Sequence, residues 1–265
     1  MKPYQVLLPL LLFVSSCLCR AQDLQQPFKD CQLEGSITVY DYHQKRWLYS
    51  DSADAHRASL PASTFKIPHS LIALETGAVK DEHEVFPWDG TPREVAAWNG
   101  DTDMKNAFAN STVWFYVRLA ERLGNSTYRR YFKRMNYGNG KMAKAQGADF
   151  WNYGDFAVSP REQILFLQKL HEGKLPFKQQ NLQKVKQFMV VEQTPAYTLR
   201  AKTGWTKYNN VDSGWWVGYV ETRGNVFFFA TRLHKPRSTV HPHFSDCRKT
   251  ITRKVLHQLG VLPSA

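Results

Sequence analysis

The sequence predicts an α+β fold with one antiparallel sheet that is built from both chain ends and flanked by helices. Strand-like stretches lie at 35–42 and 46–49 near the N-terminus, and at 197–203, 215–222 and 226–233 near the C-terminus. Between them, from residue 63 to about 187, the patterns are mostly helical. We therefore expect an inserted all-helical region packed beside the sheet, with the ligand site in the cleft between the two.

The first residues predict a leader for export. Lys2 precedes an apolar run at 6–14 that is too short to span a bilayer, and small residues and cysteines follow it. Cleavage after Ala21 follows the small-x-small pattern; the alternative is a lipoprotein acylated at Cys17. We expect a signal peptide at 1–21 and a periplasmic or secreted protein without a membrane span. Residues 22–265 then form a single domain, with a sheet part (22–60 and 188–265) and a helical part (61–187).

Turn and capping residues set the limits of the remaining elements. The strands at 215–222 and 226–233 are joined as a hairpin across residues 223–225. An apolar helix over 67–74 ends at Gly77, and further helices are predicted at 111–124, 128–135 and 248–259. A capping box of Ser159 and Glu162, with Pro160 at the first helical position, predicts a helix that stops at Gly173.

The charge is strongly positive, with a formal net value of +12. Removal of the leader takes away Lys2 and Arg20 and leaves about +10. Basic residues are interleaved with aromatic residues at 128–134, which is one pattern of nucleic-acid binding. At helical spacing, however, the apolar residues there form one stripe with the arginines outside it, which indicates an amphipathic helix. We therefore expect no nucleic-acid partner, and a preference for anionic small molecules.

Two cysteines, Cys31 and Cys247, lie beyond the leader. In an oxidising compartment they could pair and join the two chain ends; the alternative is two free buried thiols. No spacing of cysteine or histidine indicates a metal site, and His241-Pro242-His243 is the nearest approach to one. We expect neither a metal nor an organic cofactor.

Ser63 and Lys66 are the strongest candidates for chemistry. Residues three apart share one helix face, so the Lys66 amine can reach the Ser63 hydroxyl and act on its proton. The alternative is an N-cap serine followed by a surface lysine, which is a common arrangement.

Three further motifs follow in order: Ser-Thr-Val at 111–113, Tyr-Gly-Asn at 137–139 and Lys-Thr-Gly at 202–204. Together with S-x-x-K, they resemble the penicillin-recognising serine enzymes. Within that superfamily the chain is similar to the class D, oxacillinase-type β-lactamases. The likeness extends over Phe150-Trp151, the Trp-Trp-Val-Gly stretch at 215–218 and the arginine in Cys-Arg-Lys-Thr-Ile at 247–251. It departs at 152–155, where a leucine and then an acidic residue and glycine are more usual.

This resemblance implies hydrolysis of a β-lactam antibiotic through an acyl-enzyme on Ser63, and hence antibiotic resistance. It also implies that Lys66 is carboxylated by carbon dioxide or bicarbonate to N6-carboxylysine, the base for acylation and deacylation. Only the neutral amine attacks carbon dioxide, and an apolar pocket lowers a lysine pKa by penalising the ammonium. Val113, Phe65 and Trp151 would form that pocket, with the indole N–H donating to the carbamate.

The resemblance gives the remaining residues their roles. Ser111 and Lys202 would relay a proton to the departing ring nitrogen, and the backbone N–H groups of Ser63 and Trp205 would form the oxyanion hole. The substrate-binding residues would be Thr203, Gly204, Trp205, Arg248 and Tyr137. Arg232 and Arg237 are alternatives to Arg248 as the arginine that binds the substrate carboxylate.

Two rival functions share the serine and lysine motifs. A small D,D-peptidase of the cell wall would form the same acyl-enzyme with penicillin and release it very slowly. A β-lactam sensor domain would bind without turnover, although such sensors are normally fused to membrane helices. The sequence leaves the oligomeric state, monomer or homodimer, open.

Overall fold

The computed structural model describes residues 23–142 and 148–263. The predicted signal peptide, its cleavage site and the alternative acylated Cys17 lie outside the described residues. The strands are β1 (Glu34–Asp41), β2 (Arg46–Tyr49), β3 (Val190–Gln193), β4 (Tyr197–Tyr208), β5 (Val211–Thr222) and β6 (Val226–Pro236). The α-helices are α1 (Gln26–Asp30), α2 (Lys66–Thr76), α3 (Met104–Ala109), α4 (Val113–Met135), α5 (Pro160–His171), α6 (Gln179–Phe188) and α7 (Phe244–Gln258).

The strands form one antiparallel sheet in the order β2-β1-β6-β5-β4-β3. The N-terminal strand β1 pairs with β6, with Val39 opposite Phe229, so the predicted sheet from both chain ends is confirmed. The short edge strand β3 was not predicted. Strands β4 and β5 are also longer than predicted, because Asn209 and Asn210 both take positive φ angles and turn the chain directly between them.

Both faces of the sheet are buried. Successive side chains point to opposite faces of a strand, and along β5 Trp215, Val217 and Tyr219 join the core of the helical block. Trp216 and Val220, which alternate with them, pack in a second core with α1 and α7. The result is a sheet between two helical layers.

Helix α5 lies against the sheet rather than apart from it. It belongs to the predicted helical part, yet it packs on β1, β5 and β6. Its predicted capping box is confirmed, since Ser159 accepts from the Glu162 backbone N–H and Glu162 accepts from that of Ser159. The capping role accounts for Glu162 without a catalytic one.

Helix α4 joins the two helices predicted at 111–124 and 128–135. A single non-helical residue, Gly124, marks the break between them (φ 69°, ψ 157°). The predicted start at Ser111 is wrong by two residues, because Ser111 has a positive φ of 55° that an α-helix does not allow. The apolar stripe predicted beyond the break is buried, as expected of an amphipathic helix.

Helix α7 begins earlier than predicted, at Phe244 rather than Arg248. Phe244 is buried against Trp205 and against the backbone of Gly214, which anchors the first turn to the sheet. Among the described helices, none combines the length and apolar character that crossing a membrane requires.

Candidate active site

Ser63 lies in a short 3₁₀ turn, Ala62–Phe65, immediately before α2. The turn is held from two sides. The Ala62 N–H donates to the Trp151 carbonyl oxygen at 3.0 Å, and β4 packs so closely that a Cβ added to Gly204 would lie 3.0 Å from the Pro61 carbonyl oxygen. Ala62 has a positive φ of 50°, which is costly for a residue with a Cβ. The nucleophile candidate is therefore fixed by its surroundings and not by helix propensity.

Lys66, the first residue of α2, is completely buried and its Nζ lies 2.9 Å from the Ser63 Oγ. The alternative of a surface lysine is wrong. Burial lowers the Lys66 pKa to about 7, because the ammonium loses its hydration, and the nearby Asp149 opposes that shift. A neutral amine beside the serine hydroxyl is thus accessible near physiological pH.

Lys66 lies next to a cluster of aromatic rings. The Tyr116 ring centroid lies 4.8 Å from the Lys66 Nζ, and Phe65 stacks on Trp151 with centroids 5.6 Å apart. Trp151 is fully buried, and its Nε1 has no hydrogen-bond partner. A buried donor without an acceptor is uncommon and calls for an explanation.

Lys202 and Ser111 meet across the cleft. The Lys202 Nζ donates to the Ser111 Oγ at 2.5 Å and to the Thr203 carbonyl oxygen at 3.2 Å. Burial lowers the pKa of Lys202 well below its usual value, and the neighbouring Lys66 and Arg248 lower it further. The positive φ of Ser111, just before α4, directs the chain so that its hydroxyl lines the cavity.

A cavity of about 830 Å³ opens over these groups between β4 and the helical block. Its walls bring together many of the predicted residues: Ser63, Ser111, Val113, Thr203, Gly204, Trp205 and Arg248. Arg248 reaches it from α7, where its guanidinium donates to the Gly204 carbonyl oxygen at 2.5 Å and to the Ser245 Oγ at 3.0 Å. Burial lowers its pKa to about 10, so it stays cationic at neutral pH.

The two alternative arginines lie elsewhere. Arg232 is buried in an ion pair with Asp54, with its Nη2 2.5 Å from the Asp54 Oδ1, and it also donates to the Ser59 Oγ. Arg237 follows β6 in an exposed turn. Arg248 is the one of the three that lines the cavity.

Tyr137 does not line the cavity, although the sequence assigned it to substrate binding. It is buried, and its hydroxyl donates to the Gln163 Oε1 at 3.2 Å. The Gln163 Nε2 donates in turn to the Thr64 Oγ1 at 2.9 Å. The structure thus places Tyr137 behind the turn of Ser63, where it supports that turn through Gln163.

Asp149 and Asn152 are site residues that sequence reasoning missed. Both line the cavity, and the Asn152 Nδ2 donates to the two Asp149 carboxylate oxygens at 2.9 and 3.0 Å. Burial raises the pKa of Asp149, while Asn152 and Lys66 act against that shift. The only signal in the sequence was the unusual residue at 152, since nothing marked a carboxylate two positions before Trp151.

Comparison with known proteins agrees with this geometry. The family model described as "Penicillin binding protein transpeptidase domain" matches residues 36–257. β-Lactamase OXA-2 of Salmonella typhimurium is 40% identical over 243 residues, which cover 91% of this chain and 86% of that protein. β-Lactamase OXA-48 of Klebsiella pneumoniae is 37% identical over 236 residues, covering 89% and 87%. The chain belongs to the class D β-lactamases.

Solved class D β-lactamases share the fold over nearly their whole length. The enzyme from Nostoc superposes with a TM-score of 0.85 at 40% identity, covering 90% of this chain and 99% of that one. The enzyme from Sebaldella termitidis superposes with a TM-score of 0.86 at 40% identity, covering 91% and 97%. The sheet and its inserted helical region are therefore those of this family.

Proposed function

We propose that this class D β-lactamase hydrolyses the lactam amide of penicillin-type antibiotics through an acyl-enzyme on Ser63. The observation that carries the proposal is the buried Lys66 Nζ, 2.9 Å from the Ser63 Oγ, with a pKa lowered to about 7. A base in this position takes the hydroxyl proton as the oxygen attacks the lactam carbonyl carbon. Resistance to the antibiotic is the expected consequence.

Lys66 is proposed to act as N6-carboxylysine. The residues around Lys66 suit that group, because its lowered pKa makes the neutral amine, the form that attacks carbon dioxide, accessible. In addition, the buried Trp151 stacks on Phe65, the neighbour of Lys66, and its Nε1 donor has no partner. When present, the carbamate supplies a carboxylate-like general base for both acylation and deacylation. Val113, half-buried on the cavity wall, keeps that side of the site apolar.

The departing nitrogen needs a proton when the C–N bond breaks. The Lys202–Ser111 pair, joined by a hydrogen bond of 2.5 Å, is proposed to deliver it, with Ser111 as donor and Lys202 as the group that replenishes it. The backbone N–H groups of Ser63 and Trp205 are proposed to stabilise the oxyanion. The tight packing of β4 at Gly204 supports this role, because it brings the two backbones together.

The substrate carboxylate is proposed to bind between Thr203 and Arg248. Both line the cavity on the side of β4 and α7, and a guanidinium holds a carboxylate with two donors. Lys202 adds positive charge behind them when it is protonated. The wider rim carries Trp98, Trp205 and Tyr153, which are apolar surfaces for the variable part of a β-lactam.

Export is proposed as well, on the sequence pattern of residues 1–21. A periplasmic or secreted enzyme meets the antibiotic before it reaches the cell-wall synthases. Acylation of Cys17 remains the alternative form of the N-terminus.

Mass spectrometry after exposure to a slowly released β-lactam tests the nucleophile, since the intact mass reports a covalent adduct and digestion locates it on a peptide. We expect a covalent adduct on the peptide that contains Ser63, and none in Ser63→Ala. An adduct that persists for hours with a good penicillin would favour the D,D-peptidase or sensor alternative. An adduct on Ser111 in place of Ser63 would overturn the proposal.

The role of the Trp151 N–H is tested by Trp151→Phe, which keeps an aromatic ring and removes the donor. We expect the variant to need roughly tenfold more bicarbonate for half-maximal activity. A factor of this size corresponds to the loss of one hydrogen bond to a charged group. Trp98→Phe, at the cavity rim, is the matched control and should keep the wild-type requirement. An unchanged requirement in Trp151→Phe would contradict the role.

A further inference from the structure

The two cysteines beyond the predicted leader lie near each other where α1 packs against α7. Cys31 ends α1 and Cys247 lies in the second turn of α7. Cys31 packs against the core cluster that contains Cys247, close enough for Cys31 to raise the pKa of the Cys247 thiol. No disulfide joins them in this structure.

Contacts on both sides of the pair hold the two helices in place. The Lys254 Nζ forms an ion pair with the Asp30 Oδ2 at 2.8 Å. On the other side, the His241 ring nitrogen lies 2.9 Å from the Cys31 carbonyl oxygen. These contacts and the shared apolar core fix α1 against α7 and keep Cys31 next to the cluster that contains Cys247.

We propose that Cys31 and Cys247 form a disulfide that links α1 to α7. The oxidant is an external disulfide of the glutathione or disulfide-oxidoreductase class. Cys31 is half-exposed and Cys247 is buried, so the Cys31 thiolate attacks the external disulfide first and releases one thiol. Cys247 then loses its proton, attacks the Cys31 sulfur and displaces the second thiol, so that two thiols are oxidised and one external disulfide is reduced.

The order of attack agrees with the surroundings of Cys247. Burial and the neighbouring Cys31 raise the pKa of its thiol to about 12, and a thiol that rarely ionises is a poor first nucleophile. Inside the mixed disulfide Cys247 lies in the same packed region as its target, the Cys31 sulfur, and this proximity offsets the small thiolate fraction of Cys247. The second step is therefore expected to be the slow one.

The disulfide would link α1 covalently to α7, the helix that carries Arg248. Cys247 precedes Arg248 on α7, and α1 precedes β1, the strand that ties the N-terminal part into the sheet. A bond between points so far apart in sequence removes much conformational freedom from the unfolded chain. We expect the oxidised protein to melt roughly 5–15 °C higher than the reduced protein.

The test compares the full chain after incubation with reduced or oxidised glutathione. Each sample is unfolded, alkylated and digested, and the peptides containing Cys31 and Cys247 are examined by mass spectrometry. We expect both cysteines to be alkylated in the reduced sample, and a cross-linked peptide pair about 2 Da lighter than the sum of the two thiol peptides in the oxidised one. Alkylation of both cysteines after oxidation, or glutathione retained on Cys31, would overturn the proposal.

Cys31→Ser is the matched control, because it keeps a small side chain at the half-exposed position and leaves the buried Cys247 unchanged. Its melting temperature should be the same under both conditions, close to that of the reduced wild type. If oxidation raised the melting temperature of Cys31→Ser as much as that of the wild type, the stabilisation would not come from this disulfide. The outcome is independent of β-lactam turnover, so it stands apart from the proposed enzymatic function.

Discussion

Single residues at this site show how burial prepares a lysine for chemistry. Lys66 is ordinary in sequence, yet its complete burial among aromatic rings makes the ammonium unfavourable. The S-x-x-K spacing was sufficient to predict that Lys66 reaches Ser63. It did not predict Asp149, which lies outside the motif, lines the cavity and acts on the Lys66 pKa.

The pH dependence of reactivation follows from the Lys66 pKa. Burial lowers it from 10.5 to about 7, so the neutral amine predominates above pH 7 and falls roughly tenfold per pH unit below it. After removal of carbon dioxide, recovery of activity at a constant dissolved CO₂ concentration should slow about tenfold from pH 6.5 to 5.5 and level off above pH 8. A recovery rate that rises tenfold per unit up to pH 10 would indicate an unperturbed lysine.

Asp149 is expected to oppose carboxylation of Lys66. Its charge favours the ammonium, which does not react with carbon dioxide, and repels the anionic carbamate. Asp149→Asn should therefore lower the bicarbonate concentration for half-maximal activity several-fold, as measured by titration of the degassed enzyme. The reciprocal variant Asn152→Asp, which adds a carboxylate beside Asp149, should raise it. A higher requirement in Asp149→Asn would contradict this electrostatic role.

Val113 is expected to matter most for deacylation. Val113→Asn places a polar amide on the cavity wall, which favours the charged lysine and should slow deacylation about tenfold or more, with a smaller effect on acylation. Pre-steady-state kinetics separate the two rates. Val113→Ala, which stays apolar, is the control for lost volume. Equal rates of deacylation in wild type and Val113→Asn would refute the apolar-pocket argument.

At the scale of elements, the contact between β4 and the turn of Ser63 sets the geometry of the site. The K-T-G motif was readable in the sequence, but the reason for its glycine appears only in the fold, where Gly204 packs on Pro61, Ala62 and Thr64. Tyr137 illustrates the converse. Its motif matched the family, yet the tyrosine supports the turn from behind rather than lining the cavity.

Gly204→Ala tests this contact. The new methyl group would lie 3.0 Å from the Pro61 carbonyl oxygen and 3.1 Å from the Thr64 side chain, so β4 must move away from Ser63 by a few tenths of an ångström. Because the oxyanion donors act only at close range, kcat should fall about tenfold to a hundredfold. Steady-state kinetics with a chromogenic β-lactam measure it.

Glu162→Ala serves as the control at another element. Loss of its half of the capping box should lower the free energy of unfolding by about 0.5–1 kcal/mol and leave kcat unchanged.

Comparable kcat values for Gly204→Ala and wild type would show that the close approach of β4 is not needed.

At the scale of the whole molecule, strand signals at both chain ends were enough to predict the sheet. The edge strand of the sheet and the ends of several strands and helices could not be predicted from the sequence, for physical reasons. The edge strand β3 is half-exposed and short, and the turn at Asn209-Asn210 depends on backbone angles rather than on a Gly or Pro. The start of α7 is decided by tertiary burial of Phe244. Likewise, the packing of α1 against α7 brings together residues near opposite ends of the described chain.

The proposed function depends on two steps, acylation of Ser63 and release of the acyl group by a carboxylated Lys66. The most direct measurement is hydrolysis of a chromogenic β-lactam by degassed enzyme, with and without added bicarbonate. We expect many turnovers per enzyme, at a rate that rises with bicarbonate until it saturates. A single stoichiometric burst followed by no turnover, at every bicarbonate concentration, would contradict it.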